Sequence, residues 1–266
     1  MKKVGRSPRD TGIERQIVKA MKRVQRWLLN PKFYAAAFLR RTIAGYKNLT
    51  ASDRSLLRRG SAEWLSVTEQ QYGGISRPAA EVETGRLTSA GVQGGDRMTP
   101  LYHNYGACYA RFLRPFLLRE DDLIIVEVGI LNGTGLAIWR DLFPQARIIG
   151  FDLDLSNYHA NLPGLLERGA FFSGLPEVFK LDQFDVPGGG RILCEVLKGK
   201  RIDIAIDDGE HSLAAIRNTA KMILPNMAEE FVYFAEDNYD ATRALRVDFP
   251  AVNWSHRGQL TVGRPR

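Results

Sequence analysis

Buried strands and amphipathic helices alternate through the second half of the chain. Near-continuous apolar runs predict five strands, at residues 123–128, 147–151, 177–181, 202–206 and 231–235. Apolar residues at helical spacing lie between them, most clearly at residues 134–143 and 212–224. Strands and helices that alternate in this way form an open parallel sheet covered on both faces.

The pattern changes on either side of this alternation. A helix is expected at Pro100–Leu118, leading into the first core strand. Near the C-terminus, a helix at residues 241–247 is followed by short strands at 252–254 and 260–262, with a turn around Gly258, which predicts an antiparallel hairpin. The predicted fold is therefore a doubly wound α/β domain at residues 100–266, with a mostly parallel, seven-stranded sheet.

The first 72 residues predict a basic helical extension. Thr11 and Glu14 form a capping box, apolar residues follow at helical spacing up to Leu28, and a second helix is expected at residues 33–46. Residues 1–60 hold sixteen Lys or Arg and three acidic residues, a charge of +13, so the rest of the chain carries −6 of the net +7. The basic character therefore belongs to the extension, and no nucleic-acid partner is expected for the remainder.

The extension has two interpretations. Basic amphipathic helices can lie on anionic membrane surfaces, or they can pack their apolar side on the rest of the protein or on a second copy in a homo-oligomer. Residues 73–99, rich in Gly, Ser, Pro and Thr, predict a linker or an active-site loop. With no apolar run of membrane-spanning length, no secretory signal and two isolated cysteines, Cys108 and Cys194, we expect a cytoplasmic protein.

The segment Glu127-Val128-Gly129-Ile130-Leu131-Asn132-Gly133-Thr134-Gly135 joins the first predicted core strand to a helix. Its glycines let the backbone approach a ligand closely, and the helix N-terminus offers N–H groups to a carboxylate or phosphate. Asp152 ends the next strand, where a carboxylate can accept hydrogen bonds from both hydroxyls of a ribose. Together these features predict a nucleotide-containing cofactor at the switch point of the sheet.

The glycine spacing separates two kinds of cofactor. It is G-x-x-x-G-x-G, whereas dinucleotide sites use G-x-G-x-x-G, and no G-K-S/T sequence indicates a phosphate-binding P-loop. Glu127, two residues before Gly129, would repel a pyrophosphate but suits the ammonium group of a methionine moiety. The pattern favours S-adenosylmethionine, and a nicotinamide-dependent dehydrogenase is the alternative.

Several short motifs lie at the ends of predicted strands: Val126-Glu127-Val128-Gly129, Gly150-Phe151-Asp152, Asp182-Gln183, Ile206-Asp207-Asp208-Gly209-Glu210-His211 and Glu236-Asp237. In order and placement, this set resembles the macrocin O-methyltransferase group of class I methyltransferases. Upstream, Gly95-Asp96-Arg97 and His103-Asn104-Tyr105 are similar to the group's D-K and H-G-Y segments, with Arg in place of Lys and Asn in place of Gly. The resemblance covers about residues 94–263 and implies a Rossmann-like fold and metal-dependent methylation of sugar hydroxyls.

The resemblance also implies roles for individual residues. Cofactor contacts are expected from Glu127, Gly129, Asn132, Gly133, Thr134, Asp152, Asp182 and Gln183, the last two near adenine. A magnesium-type site is expected from Asp208, Glu236 and Asp237, because oxygen ligands at neighbouring strand ends form a hard, open cluster. His211 is the expected general base and Asp207 its orienting partner. Arg97, His103 and Tyr105 are expected to contact the substrate, which is a sugar or a sugar-bearing small molecule with a free hydroxyl.

Other interpretations remain open at this stage. Asp208 and Asp237 could instead cap the helices that follow them. The chain could also be a hydroxylase-like relative that keeps the fold and metal site, or a membrane-associated scaffold in which the basic helices matter more than the pocket.

Overall fold

The computed structural model describes residues 57–73, 96–100, 103–119 and 121–266. The predicted helices at residues 11–28 and 33–46, and most of the predicted linker, lie outside these residues. The described helices are α1 Ala62–Gly73, α2 Gly106–Leu113, α3 Thr134–Leu142, α4 Ser156–Glu167, α5 Val186–Leu197, α6 Leu213–Ile223 and α7 Ala241–Asp248. The described strands are β1 Ile124–Val128, β2 Arg147–Asp152, β3 Glu177–Lys180, β4 Ile202–Asp207, β5 Met227–Ala235, β6 Val252–Arg257 and β7 Leu260–Pro265.

The seven strands form one sheet in the order β3-β2-β1-β4-β5-β7-β6. The pairs among β1 to β5 are parallel, whereas β7 runs antiparallel to both β5 and β6. The predicted doubly wound sheet and its terminal hairpin are thereby confirmed. Because strand order reverses between β1 and β4, the carboxyl ends of these strands border the crevice in which such sheets bind ligands.

Period-2 alternation along the strands divides the core into two clusters, one on each face of the sheet. Ile125 and Ile204 belong to the first cluster, together with residues of α1, α2, α3 and α4. Val126 and Ala205 belong to the second cluster, with residues of α5, α6 and α7. We call these the first face and the second face of the sheet. Among the described residues, no helix combines the length and apolar content needed to cross a membrane.

Helix α1 belongs to the core of the sheet domain, although it falls within the predicted extension of residues 1–72. Trp64, Leu65 and Tyr72 are buried in the first cluster, and α1 packs against α2 and α3. Six consecutive residues, 64–69, are buried. The described part of the predicted extension is therefore continuous with the sheet domain.

The helix expected at Pro100–Leu118 is shorter than predicted, because α2 begins at Gly106. Upstream of it, backbone N–H groups of residues 103–105 donate to carbonyls of residues 96–99, and Asn104 has a φ of 57°. These bonds hold residues 103–105 against residues 96–99, an arrangement that differs from the hydrogen bonding of a continuous helix. A separate 3-10 turn, Phe116–Leu118, follows α2.

Candidate active site

The carboxyl ends of four parallel strands lie side by side and carry most of the predicted site residues. Val128 pairs with Phe151 on one side and Asp207 on the other, and Asp207 pairs with Ala235. This register places the segments after β1, β2, β4 and β5 at one edge of the sheet.

The loop after β1 approaches the loop after β4 closely. Gly129 has a φ of 85°, and a Cβ atom there would collide with the backbone carbonyl of Asp208. Asp152 holds the same loop, since its Oδ2 accepts hydrogen bonds from the backbone N–H groups of Ile130 and Leu131, each at 2.9 Å. Asp152 therefore orders the glycine-rich loop in addition to facing the crevice.

A cavity of about 700 Å³ opens along this edge. Gly129, Asp152, Asp182 and Asp208 line it, which brings together residues from four strand ends. Leu153 and Phe184 also line it and are largely exposed, at 67% and 58%. These two apolar residues were not predicted from the sequence, although each directly follows a predicted cofactor residue.

A smaller cavity of about 70 Å³ lies beside the N-terminus of α3. Asn132, Thr134, Arg97 and Gly129 line it. Gly133 is the N-cap residue and supplies no side-chain cap, and the buried Thr134 hydroxyl has no hydrogen-bond partner in the structure. The first turn of α3 therefore presents uncapped N–H groups and a hydroxyl at this cavity, which suits a carboxylate.

Asp208, His211 and Asp237 form a cluster that faces the larger cavity. One potential ligand atom from each lies within 4.8 Å of the others. His211 and Asp237 both have positive φ, 66° and 58°, and neither is glycine. Such strained backbone costs about 1–3 kcal/mol per residue and concentrates at functional sites. The Nδ1 atom of His211 is buried without a hydrogen-bond partner, and its backbone carbonyl accepts from Asn238 at 2.8 Å.

The third predicted metal ligand, Glu236, lies apart from this cluster. Its Oε1 accepts from the Tyr109 hydroxyl, and its Oε2 lies 3.1 Å from Nε of Arg97. Burial raises the pKa of the Glu236 carboxyl, and the neighbouring Arg97 opposes the increase. Glu236 is thus part of a buried network. His211 lies beside Asp208 and Asp237, in the place expected for Glu236.

Arg97 was expected to contact the substrate, but its guanidinium is buried among carboxylates. Nη1 lies 2.8 Å from Glu127 Oε1, Nη2 binds Asp208 Oδ2, and Nε faces Glu236. Glu127 is buried on the first face and also accepts a hydrogen bond from Trp139 Nε1 at 3.1 Å. The carboxylate of Glu127, predicted to bind the cofactor, is therefore paired inside the protein.

Asp207 and Gln183 form a separate network on the second face. Gln183 Nε2 donates to Asp207 Oδ1 at 3.0 Å and to Thr219, and Tyr233 donates to Asp207 Oδ2 at 3.2 Å. Burial raises the pKa of Asp207 to about 8. Asp207 was expected to orient His211; in the structure it points to the second face of the sheet, where its side chain accepts from Gln183 and Tyr233. Gln183 bonds inward through its Nε2, and both Gln183 and Asp182 line the larger cavity.

His103 and Tyr105 meet the cluster at Asp237. Tyr105 donates to Asp237 Oδ1 at 2.6 Å, and His103 Nδ1 lies 3.1 Å from the same oxygen. His103 also lines the larger cavity. Both predicted substrate residues thus contact Asp237, but only His103 lines the cavity, since Tyr105 is buried.

Three residues that hold this network were missed from the sequence. Tyr109 lies one helical turn after Tyr105, which could have indicated it. Trp139 and Glu69 carried no such signal, because Glu69 is 28 residues from its hydrogen-bond partner Arg97. Glu69 accepts from the backbone N–H groups of Arg97, Met98 and Thr99, which fixes the segment that carries the guanidinium.

Comparison with curated proteins gives one relative of informative similarity, and no family model matches the chain. The 8-demethyl-8-alpha-L-rhamnosyl tetracenomycin-C 2'-O-methyltransferase of Streptomyces olivaceus is 26% identical over 144 residues, which cover 51% of this chain and 33% of the relative. The match thus spans about a third of that protein's length.

Solved structures with the same fold include the MycE methyltransferase of the mycinamycin biosynthetic pathway. Its complex with Mg and SAH aligns with a TM-score of 0.50 at 18% identity, covering 64% of this chain and 52% of that one. Its complex with Mg, SAH and mycinamycin VI gives a TM-score of 0.50 at 18% identity, covering 72% and 64%. The chain therefore has a Rossmann-like methyltransferase fold.

Proposed function

We propose that this chain is an S-adenosylmethionine-dependent, divalent-metal-dependent O-methyltransferase that acts on a hydroxyl of a sugar or sugar-bearing small molecule. The observation that carries the proposal is the cluster of Asp208, His211 and Asp237, which opens onto the same 700 Å³ cavity as the glycine-rich loop and Asp152. A cofactor site and a candidate cation site thereby share one crevice.

The cofactor would lie across the ends of β1 and β2. Asp152 would accept from the ribose, Asp182 would face the adenine edge, and the exposed Leu153 and Phe184 would contact its faces. The methionine carboxylate would lie at the N-terminus of α3, near the unpartnered Thr134 hydroxyl, where the helix dipole favours an anion. Bound in this way, S-adenosylmethionine would supply a methyl group from its sulfonium.

The residues present fit a divalent cation. The carboxylates of Asp208 and Asp237 form an oxygen donor set with an open side towards the cavity, and the His211 imidazole lies beside them. Asp208 and Asp237 would hold the ion, and Glu236 could join them only by giving up its bond to Arg97. When bound, the cation would lower the pKa of an acceptor hydroxyl and fix its position.

His211 would accept the proton of the attacking hydroxyl. An imidazole exchanges protons near neutral pH, and its place beside both aspartates puts it next to an oxygen held at the cluster. His103, which lines the cavity, would orient the acceptor, and Tyr105 would hold Asp237 through its hydrogen bond. Such positioning supplies much of the rate of a methyl transfer. The names of the Streptomyces relative and of the mycinamycin VI complex support a glycosylated acceptor.

The alternatives are less well supported. A dinucleotide would place phosphates near Glu127, which repels them even though Arg97 partly offsets its charge. A non-catalytic scaffold would not require two non-glycine residues of positive φ, His211 and Asp237, in the cluster. A hydroxylase-like activity at the same cation site is the second candidate, and cofactor binding distinguishes it.

Calorimetric titration with S-adenosylhomocysteine, with and without Mg²⁺, tests the proposal. We expect binding that Asp152→Ala weakens, because it removes the ribose acceptor and releases Ile130 and Leu131, whereas Glu195→Ala, on the exposed surface of α5, should have no effect. Asp208→Asn should lower the affinity for Mg²⁺ and leave that for S-adenosylhomocysteine largely unchanged. A chain that binds NADH and no S-adenosylhomocysteine would refute the proposal.

A further inference from the structure

One guanidinium joins three carboxylates from three different strand ends. Arg97 is 10% exposed at its side chain, and it contacts Glu127 and Glu236, which are 1% and 2% exposed, and Asp208, which is 24% exposed. Each contact uses a different nitrogen of the guanidinium, and this fork geometry is one that lysine cannot reproduce. Arg97 is thus the counter-ion of the two buried glutamates and of a residue of the cation cluster.

The position of Arg97 is fixed by its backbone. Glu69 on α1 accepts from three successive N–H groups, those of residues 97–99, at 2.8–3.1 Å. The Tyr105 N–H donates to the Arg97 carbonyl at 3.0 Å. Because the backbone is held at both its N–H and its carbonyl, movement of the guanidinium would come from side-chain rotation.

Asp208 is the residue that two cations would share. Its Oδ2 is bound to Arg97, and the same carboxylate lies in the cluster with His211 and Asp237. Glu236 is occupied at both oxygens, by Tyr109 and Arg97. A divalent ion near Asp208 would thus experience the repulsion of a buried positive charge and compete with it for the same carboxylate.

We propose that Arg97 is a built-in competitor of the divalent cation, so that the ion binds by displacing Nη2 of Arg97 from Asp208, while Nη1 and Nε stay with Glu127 and Glu236. This inference rests on the proposed cation site, and it adds a residue that sets how tightly that site binds. Arg97 neutralises the carboxylates of Glu127, Glu236 and Asp208, and by pairing with Asp208 it limits the affinity of the site for the ion. Binding of the ion and pairing of Arg97 with Asp208 then oppose each other, with a reciprocal effect on affinity.

Calorimetric titration of Mg²⁺ into wild type, Arg97→Ala and Arg97→Lys, each saturated with S-adenosylhomocysteine, tests the competition. Arg97→Ala should bind Mg²⁺ roughly tenfold or more tightly, within the usual range of coupling between two sites. Arg97→Lys retains the charge and should stay closer to wild type. Equal or weaker binding by Arg97→Ala would overturn the inference, because Arg97 would then act as a support of the site.

Chemical rescue separates competition from a structural effect. Guanidinium chloride at low millimolar concentration should weaken Mg²⁺ binding to Arg97→Ala, since the free guanidinium ion can re-enter the cluster. Urea at the same concentration is the matched control, because it has a similar planar shape and no charge, and it should have no effect. Equal effects of guanidinium and urea, or none from either, would contradict competition at this position.

Stability measurements cover the case in which Arg97→Ala folds poorly. Mg²⁺ should raise the Tm of Arg97→Ala more than it raises that of wild type, because the ion replaces a missing counter-ion, and Arg97→Lys, which retains the charge, should lie closer to wild type. In wild type, Mg²⁺ should change the fluorescence of Trp139, whose ring lies 5.8 Å from the guanidinium carbon, and Trp139→Phe should abolish that change. A smaller Tm increase in both variants than in wild type would overturn the inference.

The outcomes also separate this inference from the proposed function. Wild type that binds Mg²⁺, together with variants of unchanged affinity, removes the competition and leaves the proposed metal dependence intact. Wild type that binds no Mg²⁺, together with an Arg97→Ala variant that does, supports the competition and contradicts metal dependence. If none of the three binds a divalent ion, both are overturned.

Discussion

The direction of each side chain at a strand end decides which carboxylates act together. Glu127, Glu236 and Arg97 meet on the first face of the sheet, whereas Asp207 points to the second face and bonds to Tyr233. The sequence identified the acidic residues because they directly follow apolar runs. It could not indicate their partners, because those come from helices and loops far away in the chain.

His211 gives the most direct test of the site at this scale. If it is the general base, His211→Ala should retain affinity for Mg²⁺ and S-adenosylhomocysteine and lose about 10²–10⁴ in turnover, the usual range for general-base catalysis. If it is a ligand, as its place beside Asp208 and Asp237 allows, affinity for the ion should fall as well. Calorimetry separates the two roles before any acceptor is known, and full activity of His211→Ala on an identified acceptor would exclude both.

Glu69 should make the stability of the protein depend on pH. Burial raises its pKa to about 8 from an ordinary value near 4.5, although the Met98 N–H and Arg97 oppose the increase. The folded state therefore holds a proton that the unfolded chain has already released, so this contribution to stability is complete below about pH 4.5 and is lost as the pH rises towards 8.

Glu69→Gln should remove this pH dependence of stability. The substitution can also change stability by an amount that is the same at every pH, and that change does not affect the comparison. Between pH 5 and 8 the free energy of unfolding of wild type should fall relative to that of the variant, by at most about 1.4 kcal/mol per pH unit for one group. Urea unfolding at several pH values measures it. Parallel pH profiles for the two proteins would show that Glu69 is ionised in the folded state.

At the scale of elements, the strands were predicted best because burial on both faces leaves a continuous apolar signal. Helix α1 was missed because its buried positions include the polar residues Ser66, Thr68 and Glu69, so apolar residues do not mark its buried face at helical spacing. Helices α4 and α5 carry Pro163 and the run Gly188-Gly189-Gly190, which weaken helical propensity and are tolerated here through tertiary packing.

Helix α6 directly follows His211, so its start helps to fix the site. Ser212 is its N-cap, and the hydroxyl accepts from the Ala215 N–H at 3.2 Å. Ser212→Ala should lower the free energy of unfolding by about 1 kcal/mol, whereas Ser212→Asp, which retains a cap, should lower it less. Urea denaturation measures both, and equal loss in the two variants would show that the cap does not stabilise this helix end.

At the scale of the whole molecule, the crevice depends on packing on both faces of the sheet. The first face is closed by α1, α2 and α3, and these helices carry the groups that hold Arg97 and Glu236: Glu69, Tyr109 and Trp139. The site is therefore built from segments on both sides of the predicted boundary at residue 72. The sequence placed that boundary by charge and composition, which report on solvent-facing residues and not on which helices enter the core.

Two truncations test where the catalytic fold begins. A chain of residues 57–266 retains α1 and should melt cooperatively and bind S-adenosylhomocysteine as the full chain does. A chain of residues 74–266 loses Trp64, Leu65 and Tyr72 from the core, and each large buried side chain contributes about 2–5 kcal/mol against a total stability of about 5–15 kcal/mol. It also frees the backbone of residues 97–99, so we expect it to be unfolded by circular dichroism. If the shorter chain melts cooperatively and binds S-adenosylhomocysteine with the affinity of the longer one, α1 is dispensable and the fold begins after it.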